Sequence, residues 1–234
     1  MDSEPQREFV RSVLSVDQSQ DELRAWLQTG IDVNVRDELG YTALHSSAMA
    51  DWNEDEDGRM RILLEAGADT EARAETQAIK SCTPLALAAA EGYAAQVRRL
   101  VEYGADVNAV DACSMTPLMH ALSSGFQVVD KVEALLGGGA DAQMKDRQGR
   151  TALDHARESR RIWTRITPEA MDRIQDDRQP WLAQQLADLA DVELAGQAPE
   201  LLAAKTRYDS EKAVQGMRSE LERAIDLLEK RDAR

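Results

Sequence analysis

The sequence predicts an all-α fold, a solenoid of stacked helix pairs followed by a C-terminal helical extension. Two observations carry this. The triplet Gly-Ala-Asp recurs at Gly67-Ala68-Asp69, Gly104-Ala105-Asp106 and Gly139-Ala140-Asp141, with a near match at Gly30-Ile31-Asp32, spaced by 37, 37 and 35 residues. A second register runs through the first: Thr42-Ala43-Leu44-His45, Thr83-Pro84-Leu85-Ala86, Thr116-Pro117-Leu118-Met119 and Thr151-Ala152-Leu153-Asp154, each 12 to 16 residues after a triplet glycine. Two markers held in phase over four units define a repeat. A unit this small cannot bury its own apolar face, so the units must stack.

The elements follow in order. The N-terminal unit, Glu8 to Asn34, has a helix-helix pattern but lacks the threonine motif, as expected of a capping unit. In the unit around Thr83, that threonine caps a helix and Pro84 fits its first position, where the missing N–H costs nothing. Leu85, Ala88 and Ala89 give a narrow apolar face with small side chains. Gly92 is read as the stop of that helix. Val97, Leu100 and Val101 stripe a second helix, and Gly104 ends it in the left-handed region that glycine tolerates best. Ala105 to Met115 then forms a long finger. The unit between Thr42 and Thr83 runs to 41 residues, eight more than the 33 between Thr83 and Thr116. About half of the excess is assigned to a loop, Asp51 to Gly58, and the rest to the finger Arg73 to Cys82. The units are placed at about 5–36 (cap), 37–72, 73–108, 109–143 and 144–176. The repeat domain is 1–160 and the helical extension 161–234.

In the extension, Thr167-Pro168-Glu169 reads as a fresh helix start and Pro180-Trp181-Leu182 as another. Ser210 to Lys230 reads as a long amphipathic helix with Val214, Met217, Leu221, Ile225 and Leu228 on one face. Two readings stand for it: a cap folded back on the last repeat, or a helix that binds a partner or self-associates.

These motifs resemble the ankyrin-repeat family. Thr83-Pro84-Leu85, Gly92-Tyr93 and Gly104-Ala105-Asp106-Val107-Asn108 follow that family's pattern, and the 33-residue step from Thr83 to Thr116 is its repeat length. The resemblance covers about residues 5 to 160. It implies a solenoid of about four to five repeats with β-turn fingers, acting as a non-enzymatic protein-interaction module. It further implies that contacts come from the finger tips and the exposed side of each first helix. The matching positions are Glu38, Leu39, Tyr41, Met49 and Trp52, then Ile79, Lys80 and Glu91. The third finger supplies Ala112, Cys113 and Met115, followed by Ser124. The fourth supplies Arg147, Gln148 and Arg150. His45 falls where the family uses a histidine to tie the helix start to neighbouring backbone.

Composition limits the partner. The chain has 234 residues, with 28 Lys and Arg against 43 Asp and Glu, for a net charge of −15. That argues against a general nucleic-acid binder and against docking on an anionic membrane. The expected partner is a protein, and a basic one fits the charge. Residues 37 to 72 alone carry −8. The acidic loop Asp51, Glu54, Asp55, Glu56 and Asp57 is open to three readings: a solvated loop, electrostatic steering of a basic partner, or calcium binding, although the spacing is not that of an EF-hand. The alternative function is an acidic inhibitor or immunity-type protein that masks the basic site of a toxin, nuclease or other enzyme.

Signs of chemistry are few. The histidines are His45, His120 and His155, and no HExxH, Cys-x-x-Cys or Gly-x-Ser-x-Gly occurs. Gly137-Gly138-Gly139 lacks the Gly-Lys-Ser/Thr of a phosphate loop and reads as a loosened helix end. No catalytic residue, metal site or cofactor is expected. Cys82 and Cys113 form no disulfide framework, which points to free thiols in a reducing, cytoplasmic compartment. The polar N-terminus and the absence of a long apolar run give no expectation of a signal peptide or membrane span.

Overall fold

Among the described residues, four inner helices form a row, and a second row of outer helices covers one side of it. The computed structural model describes residues 20–37, 40–49, 54–75, 79–124, 127–165 and 199–232. The elements are α1 (Gln20–Gln28), α2 (Ala43–Met49), α3 (Glu54–Glu65), β1 (Ala74–Glu75), β2 (Lys80–Cys82), α4 (Pro84–Ala90), α5 (Ala94–Glu102), α6 (Pro117–Ser124), α7 (Val128–Gly137), α8 (Ala152–Arg165) and α9 (Pro199–Asp232). Inner helices α2, α4, α6 and α8 pack in sequence, as do outer helices α1, α3, α5, α7 and α9. Within units, α2 packs on α3, α4 on α5, α6 on α7 and α8 on α9. A continuous apolar core runs the length of the stack, from Leu23 through Leu44, Leu63, Leu85, Leu100, Leu118, Leu135 and Ala156 to Leu221 and Leu228.

Local chemistry explains the helix ends. Thr83 Oγ1 accepts the Ala86 N–H at 3.2 Å, with Pro84 at the first helical position, and Thr116 Oγ1 accepts the Met119 N–H at 3.3 Å. Gly67, Gly104 and Gly139 have φ of 85, 83 and 95°. At the second of them the Ala105 N–H reaches back to the Leu100 carbonyl at 3.0 Å, closing the helix with the six-to-one bond of a Schellman motif. Gly92 has a different reason. Its φ is not among the positive ones, and a Cβ there would meet the Ala48 carbonyl at 2.3 Å and Gln96 Oε1 at 2.6 Å. Space between neighbouring units, and not a left-handed turn, requires glycine at this position.

Polar ladders tie one unit to the next. Asp32, Asp69, Asp106 and Asp141 each accept the N–H two residues on, forming four equivalent turns. Asn34 Oδ1 accepts the Asp69 N–H at 2.7 Å, Glu71 Oε1 the Asp106 N–H at 2.9 Å and Asn108 Oδ1 the Asp141 N–H at 2.8 Å. On the opposite edge, Gln96 Nε2 donates to the Ser47 carbonyl and Lys131 Nζ to the Ala89 carbonyl, each reaching the end of the preceding inner helix. Lys131 is fully buried, and burial pulls its ammonium down to about 8 while Glu220 opposes that shift.

The tail takes part in the stack. α9 packs on α8 and α7, where a last unit would place its own outer helix. Val214, Leu221, Ala224, Ile225 and Leu228 are buried and Met217 packs beside them, the face that the sequence periodicity marks. Glu220 Oε2 accepts the Val128 N–H at 2.7 Å at the start of α7, and Arg231 Nη1 donates to the Leu136 carbonyl at its end. The helix starts at Pro199, eleven residues earlier than expected. The helix starts expected at Thr167 and Pro180 lie outside the described residues.

One assignment is corrected. Glu54, Asp55, Glu56 and Asp57 form the first turn of α3 and not a loop. Carboxylates in that position favour a helix, because its unpaired N–H groups and dipole are positive there. Asp51 lies outside the described residues.

Candidate binding face

The fingers that precede the inner helices share one internal design. Asp111 Oδ1 accepts the N–H groups of Cys113 and Met115 at 2.7 and 2.8 Å, and Asp146 Oδ1 those of Gln148 and Arg150 at 2.8 and 2.9 Å. Asp37 Oδ1 accepts the Tyr41 N–H at 2.9 Å. The turn then needs a left-handed residue, supplied by Gly40 and Gly149 in the first and last fingers and by Ser114, at φ 60°, in the third. The second finger is a small hairpin instead, with β1 antiparallel to β2, and this accommodates its extra residues.

Histidines brace the fingers from behind. His45 Nδ1 accepts the Thr42 N–H at 3.2 Å, which leaves Nε2 to donate to the Cys82 carbonyl at 3.3 Å. Its ring is fully buried, and burial lowers its pKa to about 4, so it is neutral at pH 7. His120 Nε2 lies 3.2 Å from Asp111 Oδ2, and His155 Nε2 lies 3.0 Å from Asp146 Oδ2. Burial pushes both aspartates up. Donors outweigh it, led by the His120 side chain at Asp111 and by Arg150 at Asp146, so that both pKa values fall below the ordinary 3.8, Asp146 to about 2. Burial likewise lowers His155. Each buried pair is part of the finger's own geometry.

Backbone bonds join the second, third and fourth fingers into one ridge. The Ala112 N–H donates to the Lys80 carbonyl at 2.9 Å and the Arg147 N–H to the Cys113 carbonyl at 3.0 Å. Lys80, Cys113, Arg147 and Gln148 are exposed along this ridge, and Glu91 is exposed just past α4. Met49, Met115 and Ser124 are half-buried. Arg150 is half-buried and holds Asp146 through Nε and Nη2 at 2.9 Å. Tyr41 is half-buried with its ring edge against His45, centroids 5.6 Å apart, and burial raises its phenol to about 12.

Ile79 departs from expectation. It is 6% exposed and packs with Ala74, Cys82 and Ala86 beneath the hairpin, so it belongs to the finger's own core and not to an exposed tip. Glu38, Leu39 and Trp52 lie outside the described residues, and for Glu54 to Asp57 only the helical backbone is described. Sequence reading passed over the finger aspartates. Their signal was available: Asp37, Asp111 and Asp146 each stand five residues before the motif threonine. Among the described residues no three His, Cys, Asp or Glu converge as metal ligands, and no helix is long and apolar enough to cross a membrane.

Stacked helix pairs with an aligned, hydrogen-bonded ridge of turns define a helical-repeat solenoid. The chain belongs to the ankyrin-repeat family: the family model for ankyrin repeats (3 copies) matches residues 13–111 and 85–164. Among curated relatives, "Ankyrin repeat and SOCS box protein 6" of Homo sapiens is 34% identical over 133 residues, covering 54% of this chain and 30% of that protein. "Neurogenic locus notch homolog protein 1" of Xenopus laevis is 33% identical over 134 residues, covering 57% of this chain and 5% of that protein. The match therefore spans less than a third of either relative's length. Ankyrin repeats are generally protein–protein interaction modules and are typically non-enzymatic.

Proposed function

We propose that this protein is a non-enzymatic adaptor that holds a partner protein on the ridge and the inner-helix face behind it. The observation that carries the reading is the bonding of finger to finger, Lys80 to Ala112 and Cys113 to Arg147, which fixes the exposed side chains between them. A surface ordered before binding loses little conformational entropy when a partner docks. Lys80, Cys113 and Arg147 are the central contacts, with Tyr41 and Met115 as half-buried apolar anchors at the base of their fingers.

A second reading, masking of a basic enzyme site, draws on the −8 charge of residues 37 to 72. The two readings divide on salt: masking predicts affinity that falls steeply with ionic strength, and an apolar contact does not. The test is capture of partners from a lysate of the source organism, comparing the wild type with a Lys80→Glu, Cys113→Ser, Arg147→Glu variant. An Arg98→Glu change on exposed α5 is the control. The reading expects a partner that binds wild type and control alike and loses about tenfold affinity for the finger variant. Equal affinity for all three proteins rejects the ridge as the binding face.

A further inference from the structure

Helix α8 opposes the charge of the chain that carries it. Net charge over the whole sequence is −15, yet α8 holds Arg157, Arg160, Arg161 and Arg165 against Asp154 and Glu158. The 3.6-residue turn places Arg157, Arg161, Thr164 and Arg165 on one face with Arg160 beside them, a stripe about 12 Å long. These five residues line a shallow cavity of about 370 Å³.

The arrangement costs helix stability, because Arg157 with Arg161 and Arg161 with Arg165 are like charges four residues apart. Arg157 is relieved by Glu229 of α9 and Arg161 by Glu158, each at 2.9 Å. Among the described residues, Arg160 and Arg165 form no ion pair. On the fourth finger, Lys145 and Arg147 are exposed as well.

We propose that the α8 stripe is a docking site for an acidic segment of a partner protein, with carboxylates for Arg160 and Arg165. This rests on the interaction reading above and adds the chemistry of the partner. Charge complementarity selects the occupant. A guanidinium takes a carboxylate through paired N–H bonds, and α9 already presents one such carboxylate to Arg157. A nucleic acid would carry its phosphates on past the stripe, toward a chain whose remaining charge repels them. A short acidic segment confines its charge to the last unit.

The test is fluorescence anisotropy of the full chain with a labelled poly-glutamate peptide and a single-stranded DNA oligonucleotide. The variants are Arg160→Glu/Arg165→Glu and the control Arg98→Glu, with circular dichroism to check that each folds. The proposal expects poly-glutamate binding that weakens about tenfold in the double variant and stays within about twofold in the control. It is overturned by failure of wild type to bind poly-glutamate, by equal weakening in the control, or by tighter binding of DNA. A chain that captures a partner through its fingers and ignores poly-glutamate keeps the interaction reading and discards the stripe.

Discussion

Asp146→Ala asks how much of a finger depends on one carboxylate. Asp146 accepts the N–H groups of Gln148 and Arg150, the Arg150 guanidinium, and His155 Nε2 at 3.0 Å. Its side chain is 3% exposed, so water does not replace it freely. Gln148 is exposed, and its freed N–H finds solvent at a net cost of about 1 kcal/mol. The Arg150 N–H costs a similar amount. The buried His155 loses its partner outright, for about 1–3 kcal/mol. Together the substitution costs about 3–5 kcal/mol, before the release of Arg150 to water offsets part of it. A solenoid is a chain of nearest-neighbour couplings, so the loss concentrates in the last unit. Chemical denaturation should show an early transition, and hydrogen exchange should accelerate in α8 while α4 and α5 keep their protection. Asp146→Asn, which keeps an acceptor but no charge, should lie between. A loss below about 0.5 kcal/mol for Asp146→Ala, with exchange in α8 unchanged, would refute the argument that the carboxylate organises the finger.

Two other perturbations test the stack. His45 is neutral in the fold with its pKa lowered to about 4 from 6.5, so the unfolded chain binds more protons between those values. Stability should therefore fall as pH drops from 6.5 toward 4, by up to about 3 kcal/mol, and His45→Gln should flatten that part of the profile; a profile identical in both proteins counts against the assignment. Gly92→Ala drives a methyl group against the Ala48 carbonyl and Gln96 Oε1, and overpacking between units should lower stability by about 1–3 kcal/mol. A melting temperature equal to wild type would show that the α2–α4 contact relaxes without cost.

The helix pairs were legible because their determinants are local. A threonine cap, a proline after it and a glycine in the left-handed region each act within one turn, and each recurs at the same place in successive units. Gly92 shows where local reading fails: its position was noticed, but its reason is the carbonyl of Ala48 in the preceding unit, 44 residues away in the chain. Ile79 fails in the same way. Its place near a finger tip suggests exposure, yet two extra strands turn it inward over Cys82 and Ala86. The acidic run reads as a loop because its charge density masks the first turn of a helix.

The tail carries the same lesson further. Its apolar face was legible from Val214 to Leu228, but nothing in that spacing says what the face covers. The structure answers with α7 and α8, through side chains that periodicity alone does not select: Glu220 at the start of α7, Arg231 at its end and Glu229 on Arg157. A solenoid's last outer face has no following unit to bury it, and α9 supplies that cover although 33 residues separate it from the end of α8. Among the described residues, Arg160 and Arg165 of α8 remain exposed. Closing the stack on one side while leaving charge on the other is what separates the structural role of α9 from the docking role assigned to α8.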